Sequence, residues 1–287
     1  MRNLWAVFRR ELTSYFISPV AYVVIILFLV LMGLFFCYFL SVYTTEYQQY
    51  QARLSYYFQM SSQNPFIAQQ LPQPQAPDFN LNVTQPFYFW LSFMMLFILP
   101  MLTMRLFSEE NRSGTLELLL TYPVRDAEII LGKFFACLCV FAVVLVLTLF
   151  FPLFINGATE KAPLELGPLA LTYTGALCVG AAFIAVGMFL SSLTRSQIVA
   201  GVLTFGILFG FFFLWLLGYA GEFLEQYIGL FKNKAFFDFF RHLSIFGHNE
   251  NFLSGLLDTR DLLYCFNFTL GSLFLCWLSL GTRKWRA

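Results

Sequence analysis

The charged side chains of this chain are concentrated in one internal segment, residues 105–133. This segment holds nine of the 33 Asp, Glu, Lys and Arg residues in the 287-residue sequence. Carboxylates and cationic groups gathered on one surface can form charge-assisted hydrogen bonds with a complementary surface. They can equally be the solvated side chains of an ordinary loop. The charged residues are Arg105, Glu109, Glu110, Arg112, Glu117, Arg125, Asp126, Glu128 and Lys133.

Motifs for catalysis or metal binding are missing from the sequence. It contains no His-Glu-x-x-His, no Gly-x-Ser-x-Gly and no Walker A loop. We interpret His248, in the stretch FGHNEN, as a surface histidine whose hydrogen bonds are satisfied, because one histidine beside Glu250 makes neither a metal site nor a catalytic dyad. We interpret the cysteines as buried apolar residues, without disulfides or a metal site. They are Cys37, Cys137, Cys139, Cys178, Cys265 and Cys276.

The composition is that of a membrane protein. Hydrophobic residues make up 59% of the chain and charged residues only 11%, too few to cover a surface in water. Continuous apolar runs close to 20 residues long predict membrane-spanning helices, whereas the strands of a barrel would alternate in polarity. We therefore predict an all-α, polytopic membrane protein whose residues 1–287 form a single transmembrane domain. The six predicted spans are about 20–42, 86–104, 134–155, 169–190, 197–220 and 262–281.

The distribution of Lys and Arg predicts the orientation of the spans. The side that carries both termini and residues 105–133 has 11 Lys and Arg, against six on the other side. Because positive flanks stay in the cytoplasm, we expect both termini to be cytoplasmic and the protein to lie in the cell (inner) membrane. No small-residue cleavage pattern accompanies the first run, so we expect it to be retained as a span. The net charge of +1 gives no indication of nucleic-acid binding.

The predicted spans contain no Asp, Glu, Lys, Arg or His. Carriers driven by ion gradients usually need such groups inside the membrane. We therefore expect the energy for any transport to come from another protein chain.

Residues 1–18 predict an amphipathic helix in the membrane interface, with Pro19 at the turn into the first span. Its basic residues would favour anionic lipid headgroups. The alternative is a frayed basic tail that only sets the topology. The apolar positions at helical spacing are Leu4, Trp5, Phe8, Leu12, Tyr15 and Phe16.

Within 105–133, Pro123 divides the sequence into two predicted helices. The first carries an apolar stripe of Leu116, Leu119 and Leu120, and Asp126 is the predicted N-cap of the second. A short helix tied to a rigid span at each end can transmit a push. We expect reversal of Glu109 and Glu110 together to Lys to leave membrane insertion intact and to abolish binding of a partner.

The two longer outer segments differ in character. Residues 43–84 are rich in Gln and Pro, and predict either a flexible loop or a dock for an extracytoplasmic accessory protein. Residues 221–260 predict amphipathic helices that lie on the outer leaflet or cap the bundle.

Small residues at a spacing of four suggest two close helix contacts. Gly206 and Gly210 form one pair, and Ala176 and Gly180 form the other. Each pair suits a contact within the chain or a seam between two copies.

The segment RLFSEENRSGTLELLLTYP, residues 105–123, resembles the membrane subunits of type-2 ATP-binding-cassette (ABC) exporters. The resemblance covers essentially the whole chain, and is closest to the branch that includes gliding-motility and copper-site-maturation permeases. It implies a coupling helix that docks on a cytoplasmic ATPase subunit, which would hold the ATP and Mg²⁺. It also implies a second permease copy or a close relative. The residues assigned to coupling by the resemblance are Arg105, Glu109, Glu110, Arg112, Ser113, Gly114, Thr115 and Glu117.

Two other functions stay open. The first is an ABC-linked machine that transmits force to an extracytoplasmic partner and moves no solute, which the long segment 43–84 favours. The second is a gradient-driven carrier or a channel, which the absence of charge in the spans disfavours.

Overall fold

The computed structural model describes residues 2–63, 72–115, 125–158, 166–228, 234–253 and 258–284, and within these ranges it is helical with no strand. The predicted all-α fold is confirmed. The helices are α1 (Arg2–Ile17), α2 (Pro19–Gln63), a π-helical turn (Asn80–Thr84) that leads into α3 (Gln85–Thr103), α4 (Ser108–Ser113), α5 (Asp126–Ala158), α6 (Leu166–Leu193), α7 (Gln197–Ile228), α8 (Lys234–Leu243), α9 (Ile245–Leu253) and α10 (Thr259–Lys284).

Six of the described helical segments are long and apolar enough to cross a membrane, as predicted. They contain α2, α3, α5, α6, α7 and α10. The span in α6 is the most deeply buried of the six, and the span in α7 is the most exposed. Helix α6 therefore forms the centre of the bundle, while α7 presents most of its apolar surface outward.

Helix α2 is much longer than the first predicted span. The apolar run ends near residue 42, but the helix continues to Gln63. The prediction of a flexible loop is therefore wrong for 43–63, where Gln and Glu residues are compatible with a helix although they are not apolar. The side-chain amide of Asn82 donates to Glu46 at 2.5 Å and ties this extension to the π-helical turn.

The first predicted helix of the charged segment is interrupted. Helix α4 ends at Ser113, because Gly114 adopts a left-handed conformation with φ of 71°. Glycine tolerates this conformation since it has no Cβ. The predicted stripe of Leu116, Leu119 and Leu120, and the break at Pro123, lie outside the described residues. Asp126 is the first residue of α5, and the backbone N–H of Arg125 donates to Glu128 at 3.3 Å, so the helix starts one residue earlier than an Asp126 N-cap would place it.

Helices α8 and α9 occupy the second outer segment. Ile245 and Phe252 of α9 are fully buried, and a Cβ at Gly175 of α6 would lie 2.5 Å from Phe252 Cβ. The side chain of Asn249 donates to Ser92 of α3 at 2.8 Å. Helix α9 is therefore packed into the bundle, which agrees with the capping alternative for this helix and not with a position on the lipid surface.

Candidate functional site

A buried ammonium group joins α5 to α1, to α4 and to the turn before α4. The Lys133 side chain, in the second turn of α5, is 1% exposed. Its Nζ donates to Glu11 Oε1 of α1 at 2.9 Å and to the Leu106 carbonyl at 2.8 Å, and lies 3.1 Å from Glu110 Oε1 of α4. A buried charge is tolerated only when it is paired and hydrogen-bonded, and both conditions are met here.

A second cation completes this arrangement. The Arg10 guanidinium donates to Glu11 Oε1 at 3.0 Å and to Glu110 Oε1 at 2.5 Å. Burial alone would lower the pKa of Arg10, but the two neighbouring carboxylates outweigh burial and raise it. Arg10, Glu11, Glu110 and Lys133 thus form a balanced group of two cations and two anions, which we call the charged cluster.

The charged cluster has one orphaned acceptor. Glu110 Oε2 is buried and has no hydrogen-bond partner among the described residues. Leaving a buried carboxylate oxygen without a donor costs free energy. Glu110 therefore has a free acceptor position at the edge of the charged cluster.

Helix α4 is attached to the end of the central helix. The hydroxyl of Ser191, in α6, accepts from the backbone N–H groups of Phe107 and Ser108 at 3.1 Å each. The side-chain amide of Asn111 donates to the Thr194 carbonyl at 3.0 Å, just beyond α6. The Ser191 bonds satisfy N–H groups that the start of α4 leaves open, and the Asn111 bond satisfies a carbonyl beyond the end of α6. Together they fix α4 against α6.

Helix α1 is attached to α3 and α5. The Tyr15 hydroxyl donates to the Leu102 carbonyl at 2.7 Å, and burial raises the pKa of Tyr15 well above its usual value, so the phenol stays protonated. A Cβ at Gly132 would lie 2.9 Å from Val7 Cγ1, so the absence of a side chain allows α1 to lie close to α5. Helix α1 is therefore part of the packed structure, which goes against the alternative of a frayed tail.

The residues assigned to coupling divide into an inner and an outer set. Glu110 points into the chain, toward Arg10 and Lys133. Arg105 is half-buried and donates to Ser18 Oγ at 2.9 Å. Glu117 lies outside the described residues. The exposed set, which we call the outer face of α4, is Glu109, Arg112, Ser113, Gly114 and Thr115.

Sequence reasoning missed Glu11 and Lys133 as members of the site. The sequence placed Lys133 in the charged segment without a role in the site, and gave no role to Glu11. Glu11 is an isolated acid in a basic, amphipathic helix, which suggests that it has a partner. The sequence does not indicate which cation that partner is. Only the packing of α1 on α5 brings the two side chains together.

A second polar group lies where α7, α8, α9 and α10 meet. Glu250 accepts from Trp215 Nε1 at 2.5 Å and forms an ion pair with Arg241. The His248 ring, 14% exposed, has its Nδ1 2.6 Å from Asp261 Oδ1 and its Nε2 2.9 Å from the His242 carbonyl. Both ring nitrogens of His248 have partners, as expected for a satisfied histidine, but the ring is more buried than a surface position would leave it.

The two pairs of small residues have different surroundings. A Cβ at Gly180 would lie 2.1 Å from the Phe141 ring, and Ala176 is buried, so this pair serves a contact between α6 and α5 within the chain. At Gly206 and Gly210 of α7, a Cβ would meet nothing within 4 Å. That pair faces outward and leaves room for a partner or lipid.

All six cysteines are free. Cys137, Cys265 and Cys276 are buried as expected, whereas Cys37 is exposed on α2. Within the described part of the chain, no group of three or more His, Cys, Asp or Glu side chains could hold a metal ion.

One comparison with known proteins gives a match along nearly the whole chain. Residues 5–278 match the sequence model of a family described as ABC-2 family transporter protein. A search of curated proteins finds no match.

Proposed function

Because the chain belongs to the ABC-2 family of transporter proteins, we propose that it is the permease subunit of an ABC exporter driven by a separate ATPase chain. The six apolar helices make it a multi-pass membrane protein. ATP and Mg²⁺ would bind to the partner chain, which would carry the catalytic residues. This chain would supply the path and the mechanical connection.

The attachment of α4 to the bundle is the observation that carries this proposal. The inner side of α4 is bound to α1 and α5 through Glu110, and to α6 through Ser191 and Asn111. The outer face of α4 is charged and exposed. A displacement of α4 by a bound ATPase would therefore act on three other helices at once, as a coupling element requires.

The outer face of α4 supplies a charged docking surface. Glu109 and Arg112 are exposed, and neither forms an ion pair with another described residue. Charged groups of this kind set the register and the rate of association with a complementary surface. Glu110 has the different task of holding α4 to α1 and α5.

The charge distribution supports an orientation with α4 and both termini in the cytoplasm. Eleven of the 17 Lys and Arg residues lie on that side of the predicted spans. An exporter of this orientation would lie in the inner membrane, with its ATPase on the cytoplasmic side, against the outer face of α4.

A second permease copy, or a close relative, would complete the transport path. The exposed face of α7 around Gly206 and Gly210 is the surface we assign to this contact, because small residues allow helices to approach closely.

The helical extension of α2 favours a second function, transmission of force to an extracytoplasmic partner. Residues 43–63 continue the first span as one helix, which at 1.5 Å per residue reaches roughly 30 Å beyond the end of the apolar run. A groove beside this extension is lined by Tyr50, Tyr57 and Pro74. A rigid rod is better suited than a loop to carry movement to an accessory protein outside the cell.

Crosslinking from the outer face of α4 tests the proposed function. A cysteine at Ser113, in a background without the six native cysteines, should crosslink in native membranes to a cytoplasmic ABC ATPase. The matched control is a cysteine at Gln75, on the opposite side of the proposed topology. The purified chain alone should not hydrolyse ATP. Hydrolysis by the chain alone, or an α4 cysteine that captures no ATPase, would contradict the proposal.

A further inference from the structure

A cavity lies at the elbow between α1 and α2, beside α4. Its volume is about 1020 Å³, and its walls come from α1, from the start of α2, from the turn between α3 and α4 and from α4 itself. Arg9, Arg10 and Arg105 line it, with Glu109 as the one lining acid. We propose that this elbow cavity binds the headgroup of an anionic phospholipid.

The charge of the elbow cavity suits a phosphodiester. Arg10 is already neutralised by Glu11 and Glu110. Arg9 and Arg105 form no ion pair with another described residue. These two guanidinium groups therefore outnumber Glu109 and leave one positive charge in excess. A phosphodiester carries one negative charge, and guanidinium groups bind its oxygens through paired N–H donors.

Hydroxyl groups add to the phosphate-binding character of the elbow cavity. Arg105 Nη1 donates to Ser18 Oγ at 2.9 Å, which orients the guanidinium along one wall. This bond uses Ser18 as an acceptor, so the hydroxyl proton of Ser18 is available to a ligand oxygen. The Ser14 hydroxyl also lines the elbow cavity. A headgroup bound there would receive both charged and neutral donors.

The position of the elbow cavity at the membrane surface favours a phospholipid over a soluble anion as its ligand. Ser18 and Pro19 lie at the start of the first span, and Arg105 follows α3 after its last apolar turn, so both walls lie at the end of a span. Trp5 and Ile17 line the same cavity and are 62% and 75% exposed. Tryptophan is typical of the membrane interface, and exposed Val20 and Val23 continue the apolar wall along α2. A phospholipid would use the polar and apolar walls together, whereas free phosphate would use only the polar one.

A bound lipid would also touch the charged cluster. Arg10 lines the elbow cavity and at the same time donates to Glu110 of α4. If α4 has the proposed coupling role, the lipid would therefore bias the position of the coupling helix. This link depends on the proposed function, but binding of the lipid itself does not.

The experiment measures retention of lipids by native mass spectrometry after exchange into detergent with equal amounts of phosphatidylglycerol and phosphatidylcholine. The wild-type chain should retain phosphatidylglycerol about ten times better than phosphatidylcholine. The double variant R9Q/R105Q should lose most of this preference. The control R112Q/R195Q removes two exposed arginines from the same side of the bundle and should keep the preference.

Three further measurements make the result decisive. The variant R9K/R105K preserves the positive charge and should keep part of the preference, so it separates loss of binding from loss of folding. A large excess of inorganic phosphate should not displace phosphatidylglycerol; displacement would show an ordinary phosphate site and overturn the lipid assignment. An unchanged preference in R9Q/R105Q would overturn it too. If R9Q/R105Q keeps its preference and also loses binding of the ATPase, the two arginines are a protein dock and not a lipid site.

Discussion

Lys133 and Glu11 lie 122 positions apart in the sequence, yet the Lys133 ammonium donates to the Glu11 carboxylate at 2.9 Å inside the protein. Helix α1 reaches this position because Tyr15 binds the end of α3 and Gly132 leaves space beside α5. A buried cation at the start of a span would be costly without its two carboxylates. The pair therefore fixes the interfacial helix to the span that follows the charged segment.

Replacing Lys133 by Met tests this relationship. The variant leaves Glu11 and Glu110 with Arg10 as the only cation of the charged cluster, and removal of one partner of a buried pair costs about 3–5 kcal/mol. We expect a clearly lower midpoint of thermal unfolding in detergent. The double variant K133M/E11Q should recover part of the loss, since it removes a carboxylate along with the cation. Equal unfolding midpoints for K133M and wild type would contradict the pairing.

Single charge reversals separate docking from attachment of α4. Glu109→Lys changes an exposed residue, so we expect a stability change within about 0.5 kcal/mol and weaker binding of the ATPase. Glu110→Lys places a third cation beside Arg10 and Lys133, so it should lower stability and ATPase binding together. The measurements are the unfolding midpoint and the fraction of ATPase recovered in a pull-down. A normal pull-down for E109K would contradict docking through the outer face of α4.

The different positions of Glu109 and Glu110 change how the test expected from the sequence must be done. Reversal of Glu109 and Glu110 together is not a clean test of docking, because Glu110 is bound to Arg10 and Lys133 within the chain.

The length of the apolar runs predicted the six spans, since the cost of crossing a bilayer is local to each run. It could not predict the pairing of Glu11 with Lys133, which depends on how distant helices pack. The end of α4 had a local signal, Gly114, that outweighed the periodicity of the leucines.

Labelling of single cysteines tests the orientation. Gln75 and Ser113 are both exposed, and each is replaced by Cys in a chain without the native cysteines. Access of a reagent to either cysteine then depends only on the side of the membrane. An impermeant maleimide added to intact cells should label Gln75→Cys and leave Ser113→Cys unlabelled. After the cells are opened, both should react. Labelling of Ser113→Cys in intact cells would reverse the assigned topology.

Two glycine substitutions distinguish the inner and outer small-residue faces. Gly180→Leu would place atoms against the Phe141 ring, and such overpacking typically costs 1–3 kcal/mol. Gly206→Leu meets open space, so the single chain should keep its unfolding midpoint. If α7 forms the contact between two copies, Gly206→Leu should instead lower the dimer fraction in light scattering. An unaltered dimer fraction would exclude this face of α7 as the seam.

Glu250 accepts from both Trp215 and Arg241, and substitutions of Glu250 test how α9 is held in the bundle. Glu250→Ala removes the carboxylate that accepts from both side chains, while Glu250→Gln keeps an acceptor for Trp215 and removes only the charge. Both donors are partly buried, and a fully buried donor that loses its acceptor costs about 1–3 kcal/mol, so stability should fall by at most this amount, in the order wild type, E250Q, E250A. Hydrogen exchange should rise mainly in residues 245–253, because α9 would then lose its contacts with Trp215 of α7 and Arg241 of α8. Arg260→Gln, an exposed change near the start of α10, is the control and should leave exchange unaltered. If exchange in α9 stays at the wild-type level in E250A, its apolar packing against α6 is sufficient to hold the helix and the Glu250 contacts have no part in it.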